Sequence, residues 1–199
     1  LSSTATMASG ANTVTLTTNG DAAYSCSITF TDAAGNAASA LALTAFTIDT
    51  AVSTPSETTV VTSLTKDTTP DVVITTSEVG TIAVGGTGGC GLSSTATMAS
   101  GANTVTLTAT GGDKAYTCTI TFTDAAGNAA GALTLTAFTL DTTANTPAET
   151  TAVTTPNKDT TPDVVITTDE VGTIAVGGTT GCGLSSTATM ASGANTVTL

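Results

Sequence analysis

Apolar and polar residues alternate along this chain in short runs with a period of two, and no helical stripe interrupts them. The clearest run is Tyr116–Thr123. Tyr116, Cys118, Ile120 and Phe122 fall on one side, and Thr117, Thr119, Thr121 and Thr123 on the other. That alternation predicts a strand with one buried and one wet face. The same reading places strands at Thr58–Ser63 (A), Val72–Thr76 (B), Thr81–Val84 (C), Thr104–Leu107 (E) and Leu133–Leu140 (G), with Tyr116–Thr123 as F. Leu64–Pro70, Glu78-Val79-Gly80 and Asp124–Asn128 read as the turns A–B, B–C and F–G. Gly85–Gly91 reads as a flexible glycine-rich loop carrying Cys90. In G the apolar phase slips between Leu133/Leu135 and Phe138/Leu140. One extra residue produces such a slip, so a β-bulge is expected near Ala137.

The pattern is duplicated. LSSTATMASGANTVTL stands at Leu1–Leu16, Leu92–Leu107 and Leu184–Leu199. YSCSITFTDAAGNAA from Tyr24 answers YTCTITFTDAAGNAA from Tyr116, and KDTTPDVVITT recurs from Lys66 and Lys158. A period of about 92 residues exceeds the 20–50 of solenoid repeats and suits a string of small sandwich domains. One whole unit is expected at residues 53–141. Residues 1–49 are expected to hold strands E, F and G of a preceding unit, and residues 146–199 strands A, B, C and E of a following one. The Thr-rich segments 50–56 and 142–148 are the links.

Composition supports strands and narrows the partners. Hydrophobic residues make up 40% of the 199 residues but aromatics only 3%, so Thr and Val must build the sheets. The formal net charge is -12, with three Lys, which excludes a nucleic-acid footprint. No apolar run is long enough to insert as a membrane helix. Without a single His, Ser-His and Cys-His nucleophile systems are absent, and the glycine cluster lacks the Lys of a phosphate-binding loop. The chain reads as non-enzymatic.

A Tyr two residues before a Cys near the start of F, as in Tyr24–Cys26 and Tyr116–Cys118, is similar to the tyrosine corner of immunoglobulin folds. The string Y-x-C-x-I-T-F-T-D-A-A-G-N, followed by a last strand ending F-T-[IL]-D-T, resembles the bacterial Ig-like repeats of giant surface adhesins. The resemblance implies an all-β chain of tandem immunoglobulin-like β-sandwich repeats on an extracellular or cell-surface protein. It departs from that pattern in two places: there is no Trp for the core, and the upstream Cys follows strand C instead of lying on B.

Each repeat has one Cys in the glycine-rich segment and one on F. A Cys90–Cys118 disulfide is expected, with a pair of buried thiols as the alternative. Cys182 and Cys26 are then expected to find their counterparts outside residues 1–199, in a further stretch of a long chain or in a head-to-tail neighbour. The duplicated Leu1–Leu16 and Leu184–Leu199 would overlap if separate chains joined, which favours the long chain. Ig topology puts Glu78, Asp124 and Asn128 at one pole, where Asp49 arrives, and Asp141 at the other, towards Glu170. These six are the candidate ligands for calcium at the domain junctions. Each also has a plain reading as a turn former. Lys66, Lys114 and Lys158 read as solvated surface lysines and not as isopeptide crosslinks. The function expected is a structural repeat of a stalk, fibre or filament whose partners are other repeats, head-to-tail. The alternative is a carbohydrate- or receptor-binding module gripping through Gly85–Gly91.

Overall fold

The computed structural model describes residues 6–179, 181–185 and 189–199. The chain forms two compact units, Leu1–Leu140 and Asp141–Leu199. All regular structure among the described residues is β.

The first unit begins with β1 (Ala22–Tyr24), β2 (Ser27–Ile28), β3 (Leu41–Ala42) and β4 (Phe46–Ile48). β1 pairs with β4 and β2 with β3, both antiparallel, giving a hairpin in the F and G positions. The expected E strand at its start is corrected: residues 6–19 hold no strand. The identical sequence is a strand elsewhere only where a B strand lies beside it, so pairing and not local propensity decides.

The central repeat holds β5 (Ser56–Thr59), β6 (Asp71–Thr76), β7 (Gly80–Thr87), β8 (Cys90–Leu92), β9 (Thr97–Met98), β10 (Gly101–Ala109), β11 (Lys114–Asp124), β12 (Leu133–Thr134) and β13 (Phe138–Leu140). One sheet runs β5-β6-β10-β8 and the other β12-β11-β7-β9, with β13 also on β11. Their inner faces enclose Val72, Ile74, Leu107, Tyr116, Ile120 and Phe122, each no more than 1% exposed. This two-layer arrangement is an immunoglobulin-like β-sandwich.

Three strand expectations are corrected here. Strand A occupies Ser56–Thr59 instead of Thr58–Ser63. Its ladder slips between Glu57 and Thr59, and the chain leaves β6 to pass Val61 into the core. Leu64, at φ 60°, then turns it so that the Thr65 N–H donates to Thr139 O on the opposite sheet. The loop expected at Gly85–Gly91 shrinks to the turn Gly88-Gly89: β7 continues to Thr87, and Cys90 lies on β8, paired with Ala109. Glycine serves close approach there and not flexibility. Gly86 has φ 116°, and a Cβ on it would stand 2.2 Å from Thr117 O. Strand E is longer than expected, and β9 was not foreseen.

The bulge in strand G is present. Leu133 faces Ile120 and Phe138 faces Tyr116, so G holds one residue more than F between those pairs. The freed Thr136 N–H does not go unpaired. It donates to Glu57 Oε2 at 2.8 Å, as does the Thr136 hydroxyl, tying strand A to strand G across the sandwich. Glu57 Oε1 is buried with no hydrogen-bond partner.

Both tyrosine corners form. The Tyr116 hydroxyl donates to Gly112 O (2.9 Å) and accepts from Gly111 N–H (2.8 Å), and its ring stacks on Phe138 at 5.3 Å. Tyr24 bonds in the same way to Gly20 O and Asn19 N–H. Tyr116→Phe should destabilise the central repeat by about 1 kcal/mol, because the Gly111 donor and Gly112 acceptor lose their partner. An unchanged denaturation midpoint would count against that role.

The second unit holds β14 (Ala148–Thr151), β15 (Asp163–Thr168), β16 (Gly172–Thr173), β17 (Thr189–Met190) and β18 (Gly193–Thr198). Its order β14-β15-β18, with β16 on β17, reproduces the β5-β6-β10 and β7-β9 pairings of the central repeat.

Candidate functional site: the clasp at residues 49–53

The residues the sequence nominates at one pole do meet, on the link between the β1–β4 hairpin and the central repeat. Asp124 closes β11 and organises the turn after it. Its Oδ1 accepts from Ala126 N–H (2.9 Å) and Asn128 N–H (2.8 Å), and its Oδ2 from the Asn128 side-chain amide (2.8 Å). Gly127, at φ 95°, lets the turn close. That amide of Asn128 holds the Asp124 carboxyl below its ordinary pKa, against the opposing effect of burial. The carboxylate form therefore stabilises the turn above the ordinary Asp range, and this contribution fades as pH falls through the lowered value. Asp32 and Asn36 repeat the device in the first hairpin.

Asn128 also reaches the link. Its Nδ2 donates to Asp49 O at 3.0 Å and to Ala51 O at 3.4 Å. Glu78 holds the next stretch, its Oε2 accepting from Ser53 N–H at 2.9 Å. Ser53 Oγ meets the buried Thr76 Oγ1 at 3.0 Å. From the other side Asp21 Oδ1 accepts from Thr50 N–H (3.0 Å) and its hydroxyl (2.8 Å). Side chains from both sides of the link thus fix the backbone between Asp49 and Ser53. Most of this was invisible in sequence. Asp21 and Thr50 are 29 residues apart, Asn128 and Asp49 are 79 apart, and no local period marks such pairs.

Each carboxylate nominated for calcium accepts at least one N–H. Asp124 and Glu78 are engaged as above, and Asp49 Oδ1 accepts from Ala51 N–H at 3.3 Å. In the second unit Asp141 Oδ1 accepts from Thr143 N–H, and Glu170 accepts from the backbone and side-chain amide of Asn145. Among the described residues no three Asp, Glu, Cys or His side chains gather as a cation cage would require.

Cys90 and Cys118 are joined by a disulfide, from β8 on one sheet to β11 on the other. Cys26 is a half-buried free thiol and Cys182 an exposed one. A further device escaped the sequence reading, although its motif is copied three times. Asn103 caps the turn before β10, accepting from Ala99 N–H and donating to Ala99 O and Gly101 O. Asn12 and Asn195 make the same bonds in their copies.

Residues 51–142 match the family model described as a bacterial Ig-like domain. No curated protein matches the chain.

Proposed function

We infer, from a central repeat that is a bacterial Ig-like domain, that the chain is a non-catalytic structural segment of an extracellular or surface stalk, in which successive repeats are held in fixed relation. The observation that carries this reading is the clasp. Asn128, Glu78 and Asp21 hold the link 49–53 by its backbone, which is what a spacer needs and a freely jointed linker lacks. Near-identical units support it, since a stalk is lengthened by copying and a recognition surface gains little from copies. A disulfide across the sheets suits an oxidising compartment. Of Gly85–Gly91, the grip of the binding-module reading, all but Gly88 and Gly89 lie in paired strands, which leaves little loop for a ligand.

Amide exchange tests the clasp. Asn128→Ala combined with Glu78→Ala should lower protection of the Ser53 N–H by about tenfold or more, because the bond it loses is to a charged group and such bonds contribute about 1.5–3 kcal/mol. Unchanged protection, or retention of the chain on a glycan array, would overturn the stalk reading. Calcium stiffening of the junctions is the remaining proposal for these carboxylates, whose oxygens keep lone pairs beside the N–H bonds. Scattering curves that coincide in calcium and in chelator remove it.

A further inference from the structure

The outer face of the sheet β12-β11-β7-β9 shows no charged side chain between Thr117 and Thr123 or on the strand beside them. On β11 the side chains turned away from the core are Thr117, Thr119, Thr121 and Thr123, each half-buried or exposed. β7 sets Thr87, Gly85, Ala83 and Thr81 opposite them, in that register. The middle of the face is therefore stepped. A ridge at Thr119 and Thr121 stands beside a trough at Gly85 and Ala83, and threonine closes the trough at both ends. Among the described residues the hydroxyls of the β11 row make no hydrogen bond within the protein. On the outer face of the other sheet the hydroxyls are engaged: Thr106 donates to Asp71 Oδ1, and Thr58 bonds with Thr75.

This face belongs to the complete repeat. Its two central strands pair from end to end, and it lies on the flank of the sandwich, away from the poles where the chain enters and leaves. A cationic partner would be drawn to the acidic turns and not to this flank. No aromatic ring stands on it for a sugar to stack against. What fits it is an uncharged surface with a step of the same size. Two copies of a chain of net charge -12 approach most closely where neither shows a charge.

We propose that this face is the contact between two copies of the chain lying side by side, related by a two-fold axis along the strands between β11 and β7. The Thr119–Thr121 ridge of each copy enters the Ala83–Gly85 trough of the other, so the contact is isologous and both troughs fill at once. Sheets packed face to face keep their strands within about 30° of each other, which suits stalks running together. At β-sheet spacings the face is about 27 Å long and about 19 Å wide. Two such faces amount to about 1,000 Å², the low end for a specific contact, so one repeat associates weakly and reversibly. Ser25, Ser27, Thr29 and Thr31 hold the same places in the sequence of the preceding repeat. The row thus returns with the period, and linked weak contacts multiply into avidity. This rests on the stalk reading and deepens it by naming a second copy as the lateral partner.

The test uses the 199-residue chain with Cys26→Ser and Cys182→Ser, which removes its free thiols. Sedimentation equilibrium should show monomers and dimers in exchange, with dimers favoured by added salt, because salt screens the repulsion between two acidic chains. Thr119→Asp with Thr121→Asp should weaken the dimer by about tenfold or more, since each copy then brings two like charges into the contact. Cysteines placed on the face read its geometry whether or not that variant folds. A mixture of Ala83→Cys and Thr121→Cys chains, joined by a short bis-maleimide, should cross-link about tenfold faster than Thr104→Cys chains, whose thiol stands on the other sheet, because the contact holds the first pair together before reaction. A chain that stays monomeric up to about 1 mM, a dimer that ignores the Asp substitutions, or Thr104→Cys chains that cross-link as fast would overturn the proposal. Cross-linking through this face by a chain whose Ser53 amide ignores the clasp substitutions would leave the contact standing and remove the stalk reading alone.

Discussion

Replacing Cys90 and Cys118 together by Ser should lower the stability of the central repeat by about 3.5 kcal/mol, read as a drop in urea midpoint. The bridge closes a loop with a sequence separation of 28. In the chain-entropy account a loop of that length restricts the unfolded state by about this amount. Small domains have about 5–15 kcal/mol in all, so the loss is a large share. The dependence is sharper here because no Trp fills the core and only Tyr116, Phe122 and Phe138 supply aromatic volume to it. A midpoint that stays in place after double substitution would show that the sheets hold without their staple.

Phe122→Ala should cost about 3–5 kcal/mol, the usual range for deleting a buried aromatic ring. Its ring is wholly buried and packs on Gly80, where an added Cβ would stand 2.6 Å from it. Phe30→Ala, the same change in the same local sequence, should cost less than about 1 kcal/mol in the dilute, reduced chain, since half of that ring is in solvent. Paired urea titrations followed by tyrosine fluorescence measure both. Equal effects would mean that Phe30 is packed in solution, and that the difference in burial is not what separates the two sites.

Strand F was legible because every second residue from Tyr116 to Phe122 is apolar and the partners on the other side are all Thr. The bulge was legible for the same reason: a period of two records the loss of one step. Cys90 and Cys118 were legible as a pair because each repeat carries one of each kind. Glycine hid what surrounds them. Gly85, Gly86 and Gly91 have no side chain to mark a face, so β7 and β8 read as a loop, although their strands need that bareness to approach Thr117 and Thr108. The missing strand over residues 6–19 taught the opposite lesson. Its sequence has full β-character, and that character is realised only beside β6 or β15. The clasp was half legible: the repeat frame brought Asp49, Glu78, Asp124 and Asn128 to one pole, but it gave no sign that Glu78 and Asn128 would hold the backbone of the link.

The staple between the sheets also governs how far the central repeat can lengthen under load. Tension applied at its two ends reaches strands A and G first, which the Thr65–Thr139 and Glu57–Thr136 bonds tie together. Once these part, the sheets can be drawn out, but the residues between Cys90 and Cys118 stay outside the loaded path. At about 3.3–3.6 Å per extended residue, the 28-residue separation withholds about 95 Å of contour. An oxidised repeat is therefore a short-travel spring, and reduction turns the same sequence into a longer tether.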